Sequence, residues 1–280
     1  MSKAIGFWKM HGLGNDYIVM DNRAHIMKEA EVSGIAQRVC QRRFSVGADG
    51  LLLLSTSERA AVKMRIFNAD GSEAEMCGNG IRCLAKYCYE NRVVAAEEFV
   101  VETLAGLKTV TVAVEDQEVK TVVVDAGKPF FEREKIPMIG EGTCIDERFE
   151  VDAEEYRMTC LSVGNPHCVI FVDDVADAPV HRVGHRIEHN NLFPQGVNVE
   201  FTQSLSRQEV RTRVWERGVG ETLACGTGAC ATVAAAHALG KVSNKVLVHL
   251  LGGDLTIEYG KSLLLIGPTE KAFEGTISLV

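Results

Sequence analysis

The chain has 280 residues, 46% of them hydrophobic and 24% charged, with a formal net charge of −8. That is enough apolar material for two cores of ordinary domain size and too much for a disordered chain. The acidic balance argues against nucleic acid as a partner, because phosphate binding needs a concentrated basic surface. No apolar run approaches the roughly 18 residues of a membrane span, and residues 1–10 lack the apolar centre of a secretory signal, so no membrane partner and a cytoplasmic location are expected. Nine cysteines form an odd number with no Cys-x-x-Cys spacing, which speaks against a disulfide framework, a zinc ribbon or a dithiol redox motif.

In chain order, residues 7–10, 17–21, 50–55 and 62–68 read as strands, rich in apolar or β-branched types and bounded by Gly, Asn and Asp. Between them, residues 33–42 read as an amphipathic helix. A second helix is expected over residues 81–90, directly after Gly80. Strands over 99–103, 109–114 and 120–124 then close a first domain, and Gly127-Lys128-Pro129 is a turn near its boundary. The charged stretch 133–152 reads as an irregular surface excursion. Residues 229–239 are apolar nearly all round and end at Gly240, so this helix must be buried on every side.

The chain repeats itself. Arg65-Ile66-Phe67, Glu73 and Cys77-Gly78-Asn79-Gly80 are answered, at one constant offset, by Arg213-Val214-Trp215, Glu221 and Cys225-Gly226-Thr227-Gly228. Gly14-Asn15 is answered by Gly164-Asn165, and residues 101–110 by 248–257, at nearly the same offset. So long a period marks two copies of a domain. The expected architecture is α+β: two pseudo-symmetric domains, each a β-structure wrapped round a central helix. The first covers residues 1–124, joined by the returning tail 268–280, and the second covers 125–267.

Each Cys-Gly-x-Gly opens a helix. Glycines let a backbone approach a ligand closely, the unpaired amides of a helix start attract an anion, and the same field favours a thiolate. One copy alone is read most simply as a tight turn. Two in register suggest a carboxylate gripped from both sides, with a thiol on each side of the adjacent carbon, which is the apparatus of a racemase.

Lys9-Met10-His11-Gly12-Leu13-Gly14-Asn15-Asp16-Tyr17, Gly47-Ala48-Asp49-Gly50, Asn68-Ala69-Asp70-Gly71-Ser72-Glu73, Gly164-Asn165-Pro166-His167, Gly196-Val197-Asn198-Val199-Glu200-Phe201 and Trp215-Glu216-Arg217, with the two cysteine motifs, resemble the diaminopimelate epimerase family over nearly the whole chain. The resemblance implies a pyridoxal-independent, cofactor-free and metal-free isomerase that interconverts L,L- and meso-diaminopimelate in lysine and peptidoglycan precursor biosynthesis, with its site in the cleft between the domains. It implies Cys77 as proton donor and Cys225 as proton acceptor for the L,L substrate, the labels exchanging with direction, and His167 and Glu216 as groups that tune them. Gly78, Asn79, Gly226 and Thr227 are implied at the α-carboxylate. Asn15, Asn68, Asn165, Asn198, Glu216 and Arg217 are implied on the rest of the substrate, with Arg217 on the distal carboxylate. The chain departs from the pattern at Gly50, where some members carry glutamine.

Other readings stand beside this one. A two-thiol racemase of histidine, proline or hydroxyproline would share the cysteines but has no use for Arg217. A non-catalytic, two-lobed amino-acid-binding protein would share the lobes but not need the thiols. The resemblance implies a small diamino diacid as partner and is compatible with a homodimer. His181, His185 and His189 at helical spacing read as a solvated face rather than a metal site. Gly260-Lys261-Ser262 mimics the end of a phosphate-binding loop, but Leu255 stands where its first glycine is required.

Overall fold

The structure is a computed structural model and describes residues 3–279. It divides into two compact units, Met1–Val124 with Gly267–Val280, and Asp125–Ile266.

In the first unit, β1 (Lys3–Gly12), β2 (Asn15–Asp21), α1 (Glu29–Cys40), β3 (Gly50–Ser55), β4 (Val62–Asn68), β5 (Glu73–Ala74), α2 (Gly78–Glu90), β6 (Glu98–Thr103), β7 (Gly106–Glu115) and β8 (Glu118–Gly127) follow in order. β1 pairs antiparallel with β2, β2 runs parallel to β3, and β3, β4 and β5 continue antiparallel. β4 also runs parallel to β6, from which β7 and β8 follow antiparallel. α2 packs against β1, β2, β3, β4 and β7, and its residues from Gly78 to Lys86 are all buried. Leu51 to Leu54 of β3 are all buried, as expected of a strand covered on both faces. Leu51 and Leu53 meet Val32, Ile35 and Val39 of α1, while Leu52 faces Gly80 of α2.

The second unit repeats this pairing scheme with β9 (Cys144–Val151), β10 (Glu154–Ser162), β11 (Pro166–Phe171), α3 (His185–Glu188), β12 (Asn198–Ser204), β13 (Glu209–Glu216), β14 (Gly220–Thr222), α4 (Gly226–Ala238), β15 (Lys245–Leu250), β16 (Gly253–Tyr259) and β17 (Leu263–Pro268). β10 and β11 are antiparallel, β11 and β12 parallel, and β12, β13 and β14 antiparallel. β13 runs parallel to β15, and β16 and β17 continue antiparallel. α4 lies against β10 to β13 and β16, buried from Gly228 to Ala236. The duplication extends to the outer strands: β9, which follows β8, lies antiparallel on β10, and β18 (Glu270–Leu279), which follows β17, lies antiparallel on β1. The fold is α+β, a duplicated β-structure around a central helix in each unit.

Two local expectations are corrected. The helix expected over 33–42 spans Glu29–Cys40 instead, because Glu31 reaches back to the Lys28 N–H at 3.2 Å and caps an earlier start. The stretch 133–152 is not irregular, since it holds a 3-10 turn, Arg133–Lys135, and then β9. β9 buries only its end residues Cys144 and Val151 and carries charge between them, so it lacks the alternation that marks a half-buried strand.

Candidate active site

Both central helices begin earlier than their sequences suggest. α2 starts at Gly78 and α4 at Gly226, so Cys77 and Cys225 are themselves the N-cap residues, each with extended backbone. Glycine's poor helix propensity hides this, yet the carbonyls of Cys77 and Cys225 accept the first helical hydrogen bonds, from Ile81 and Ala229, each at 3.0 Å. The thiols therefore stand at the positive ends of two helix dipoles, beside the amides of Gly78 and of Gly226 and Thr227 that head away from the helix ladder.

In the first unit Cys77 is half-buried, and a fixed set of polar groups surrounds it. The Tyr17 hydroxyl lies 2.9 Å from its Sγ and donates to Asn15 Oδ1 at 2.5 Å. Asn15 is oriented by Asp49, whose Oδ2 accepts its Nδ2–H at 2.7 Å. Asn79 donates to the same Asn15 oxygen at 3.4 Å and accepts from the Arg82 guanidinium at 2.8 Å. Arg82, fully buried, also donates to the carbonyls of Gly78 and Pro268 and so pins the turn that carries Cys77. Asn68 stands apart, donating to Ser72 Oγ at 3.0 Å. A Cβ at Gly50 would lie 2.8 Å from the Phe67 carbonyl oxygen and 3.3 Å from the Tyr17 ring. The Phe67 carbonyl and the Tyr17 ring thus leave no room for a side chain at position 50.

In the second unit Cys225 is buried, and its Sγ accepts the Gly228 N–H at 3.3 Å and lies 3.4 Å from Thr227 Oγ1. Thr227 accepts from Asn165 Nδ2 at 3.3 Å, Asn165 Oδ1 accepts from His167 Nε2 at 2.9 Å, and His167 Nδ1 shares a proton with Glu200 Oε1 at 2.7 Å. His167 and Glu200 are both fully buried, and Glu200 Oε2 has no hydrogen-bond partner among the described residues. Burial pushes the Glu200 carboxyl up against the pull of His167. Gly228 leaves room for it, since a Cβ there would lie 2.8 Å from Glu200 Oε1. Burial also raises Glu216, although Thr222 Oγ1 donates to it at 2.5 Å. Burial first, then the Glu216 and Glu200 carboxylates, pushes the Cys225 thiol well up, and the Thr227 and Gly228 donors only partly offset this.

Asn198 and Arg217 are joined to one another, the Arg217 N–H donating to Asn198 Oδ1 at 2.9 Å. The Arg217 guanidinium donates to the Gln195 carbonyl at 3.0 Å and lines a depression with Asn191, Gln195, Gly196 and Gly218. The three spaced histidines are all exposed and lie side by side, His185 stacking on His189 with ring centroids 4.4 Å apart. His181 lies in a π-helical turn, Val180–Gly184, and His181 and His185 meet the Trp215 ring edge-on. Gly260-Lys261-Ser262 forms the β16–β17 hairpin turn, not a strand-to-helix loop.

Sequence reasoning misses Tyr17, Arg82 and Glu200, although Tyr17 and Glu200 lie inside the motifs quoted above and Arg82 just beyond one of them. The signal for two of them was present: Glu200 sits between Val199 and Phe201 in a strand, and Arg82 between Ile81 and Cys83 in a buried helix, so each is a charge that must find a partner. Tyr17 had no such signal.

A sequence model of the family described as diaminopimelate epimerase matches residues 7–132 and 159–263. The chain is 52% identical to the diaminopimelate epimerase of Moorella thermoacetica over 277 residues, 98% of this chain and 99% of that protein. It is 47% identical to that of Geobacillus kaustophilus over 279 residues, 98% of this chain and 96% of that one. Its fold alone is shared with a hydroxyproline epimerase from Agrobacterium vitis, at 16% identity and a TM-score of 0.71 over 99% of this chain and 93% of the other. It is shared likewise with a phenazine biosynthesis protein of the PhzF family from Bacillus anthracis, at 16% identity and a TM-score of 0.72 over 99% and 100%. Matched along nearly its whole length and carrying a cysteine at the head of each duplicated helix, the chain belongs to the diaminopimelate epimerase family.

Proposed function

We propose that the chain is an isomerase that interconverts L,L- and meso-diaminopimelate by removing the α-proton with one thiolate and returning a proton from a second thiol, without pyridoxal phosphate. One observation carries the reading: a cysteine is the N-cap residue of the central helix in both halves of a chain of this family. A thiolate takes the α-proton from one face, and the other thiol delivers its proton to the opposite face of the carbanion, so protons balance over the turnover. For the L,L substrate Cys225 is the acceptor and Cys77 the donor. Glu216, buried beside Cys225, tunes that thiol through its charge. His167 orients Asn165 and Thr227 around that sulfur.

The first-turn amides of the two helices, with Gly78, Asn79, Gly226 and Thr227, hold the α-carboxylate and stabilise the charge that develops beside it. Asn15, Asn68, Asn165, Asn198 and Glu216 take the amino groups and remaining carboxylate oxygens of the substrate, and Arg217 takes the distal carboxylate. Two thiols that must stay reduced fit a cytoplasmic location. A net charge of −8 offers no footprint for nucleic acid. Sedimentation equilibrium decides between a monomer and a homodimer.

Incubation with L,L-diaminopimelate in heavy water, without pyridoxal phosphate, is expected to place deuterium at one α-carbon. Cys77→Ala and Cys225→Ala are each expected to lower epimerisation by at least about 10²- to 10⁴-fold. No exchange by the reduced wild-type protein would sink the assignment, and full turnover by either variant would refute the two-thiol scheme.

A further inference from the structure

We propose that Tyr17 is a positioning residue for Cys77, its hydroxyl turning between Asn15 and the sulfur according to whether the sulfur carries a proton. The inference rests on the reading of Cys77 as a proton carrier. Tyr17 is buried, and its hydroxyl oxygen has two polar neighbours within hydrogen-bond reach, Asn15 Oδ1 at 2.5 Å and Cys77 Sγ at 2.9 Å. Asn15 Oδ1 only accepts, and the amide cannot flip without losing the Asp49 carboxylate that holds its Nδ2–H.

With Cys77 as a thiol, S–H donates to the tyrosine oxygen and O–H donates to Asn15. With Cys77 as a thiolate, the same O–H turns onto the sulfur, and Asn15 Oδ1 keeps the Asn79 N–H at 3.4 Å. The tyrosine proton stays on its oxygen in both states, so no proton is transferred and no co-reactant is needed. Burial, and then the neighbouring Cys77, push the Tyr17 hydroxyl well above its ordinary range, which keeps it a donor. The other charged or titratable groups facing this cluster are Asp49 from the loop before β3, and Arg82 and Cys83 from α2. They are the same in both states. Gly50 provides the clearance that lets the ring stand between β3 and the thiol.

The test reads the sulfur directly. In the Cys225→Ala background, the rate of iodoacetamide alkylation at Cys77 is followed by mass spectrometry across pH, with and without Tyr17→Phe. The phenylalanine variant is expected to slow alkylation about 10-fold near neutral pH and to move the half-maximal rate to higher pH, because the thiolate loses its donor. Uniform replacement by 3-fluorotyrosine, a stronger donor, is expected to move it lower. An unmoved pH profile in Tyr17→Phe overturns the proposal. Should that variant fail to fold, an unmoved or raised profile in the fluorotyrosine protein overturns it. Alkylation needs no turnover, so failure here is distinct from failure of the deuterium-exchange experiment, which tests the epimerase reading.

Discussion

Cys77 and Cys225 occupy the same place in their helices but not the same surroundings. Cys77 is half-buried beside a neutral hydroxyl and two amides, whereas Cys225 is buried beside two carboxyl groups that keep its proton on. One repeated motif thus sits in two different electrostatic settings. Glu216 bears part of the cost. Burial raises its carboxyl above the ordinary value of 4.5, so the folded state binds that proton more tightly than the unfolded one. Its contribution to stability is therefore fully present below the ordinary value and is lost as pH rises through the raised one. Glu216→Gln removes that loss: its melting temperature is expected to exceed the wild type's near about pH 8 and to converge with it near about pH 4, while epimerisation falls. Calorimetry at the two pH values checks this. A variant less stable than the wild type near the higher pH would mean that the carboxylate holds the fold together rather than straining it.

At the scale of elements, the duplication is kept by matching ion pairs as well as matching strands. Arg65 of β4 grips Glu73 of β5 through Nε and Nη2 at 2.6 and 2.8 Å, and Arg213 of β13 grips Glu221 of β14 in the same bidentate way at 2.7 and 3.1 Å. Each pair braces the short strand that leads into a cysteine. Their remaining donors differ: Arg65 also grips Glu29 of α1 at 2.6 and 2.7 Å, whereas Arg213 Nη1 donates to the carbonyls of Val175, Ala176 and Ala178. Arg213→Met strips one carboxylate and three carbonyls of their donor. It is expected to cost about 3–5 kcal/mol, read as a lowered denaturant midpoint. A loss under about 1 kcal/mol would show the pair to be ornamental to the fold. The element boundaries that the sequence misplaces have separate local causes. Glycines at 78 and 226 read as breakers yet sit inside the first helical turn, and β9 hides its strand character behind the charges of an edge.

At the scale of the whole molecule, each unit has its own core and its own central helix, and each borrows its outer strand from chain that follows the other unit's last hairpin. β18 pairs with β1 from Lys3 to His11 and covers an edge that would otherwise be open. Ending the chain before Glu270 is expected to unfold the first unit while the second keeps its protease resistance. Limited proteolysis followed by mass spectrometry distinguishes that outcome from a molecule that tolerates the loss. By itself the sequence determined the duplication, the α+β class, the two cysteine motifs and the strands that flank them. These are written in local periodicity and in residue types that recur at one offset, and local pattern is what a linear chain displays. Only the tertiary structure decided that Tyr17 reaches Cys77 and that Glu200 and Glu216 crowd Cys225. Those neighbours are brought together by strand pairing and helix docking between positions remote in the chain. A thiol's proton affinity answers to what is packed around the sulfur, not to what precedes or follows it in sequence.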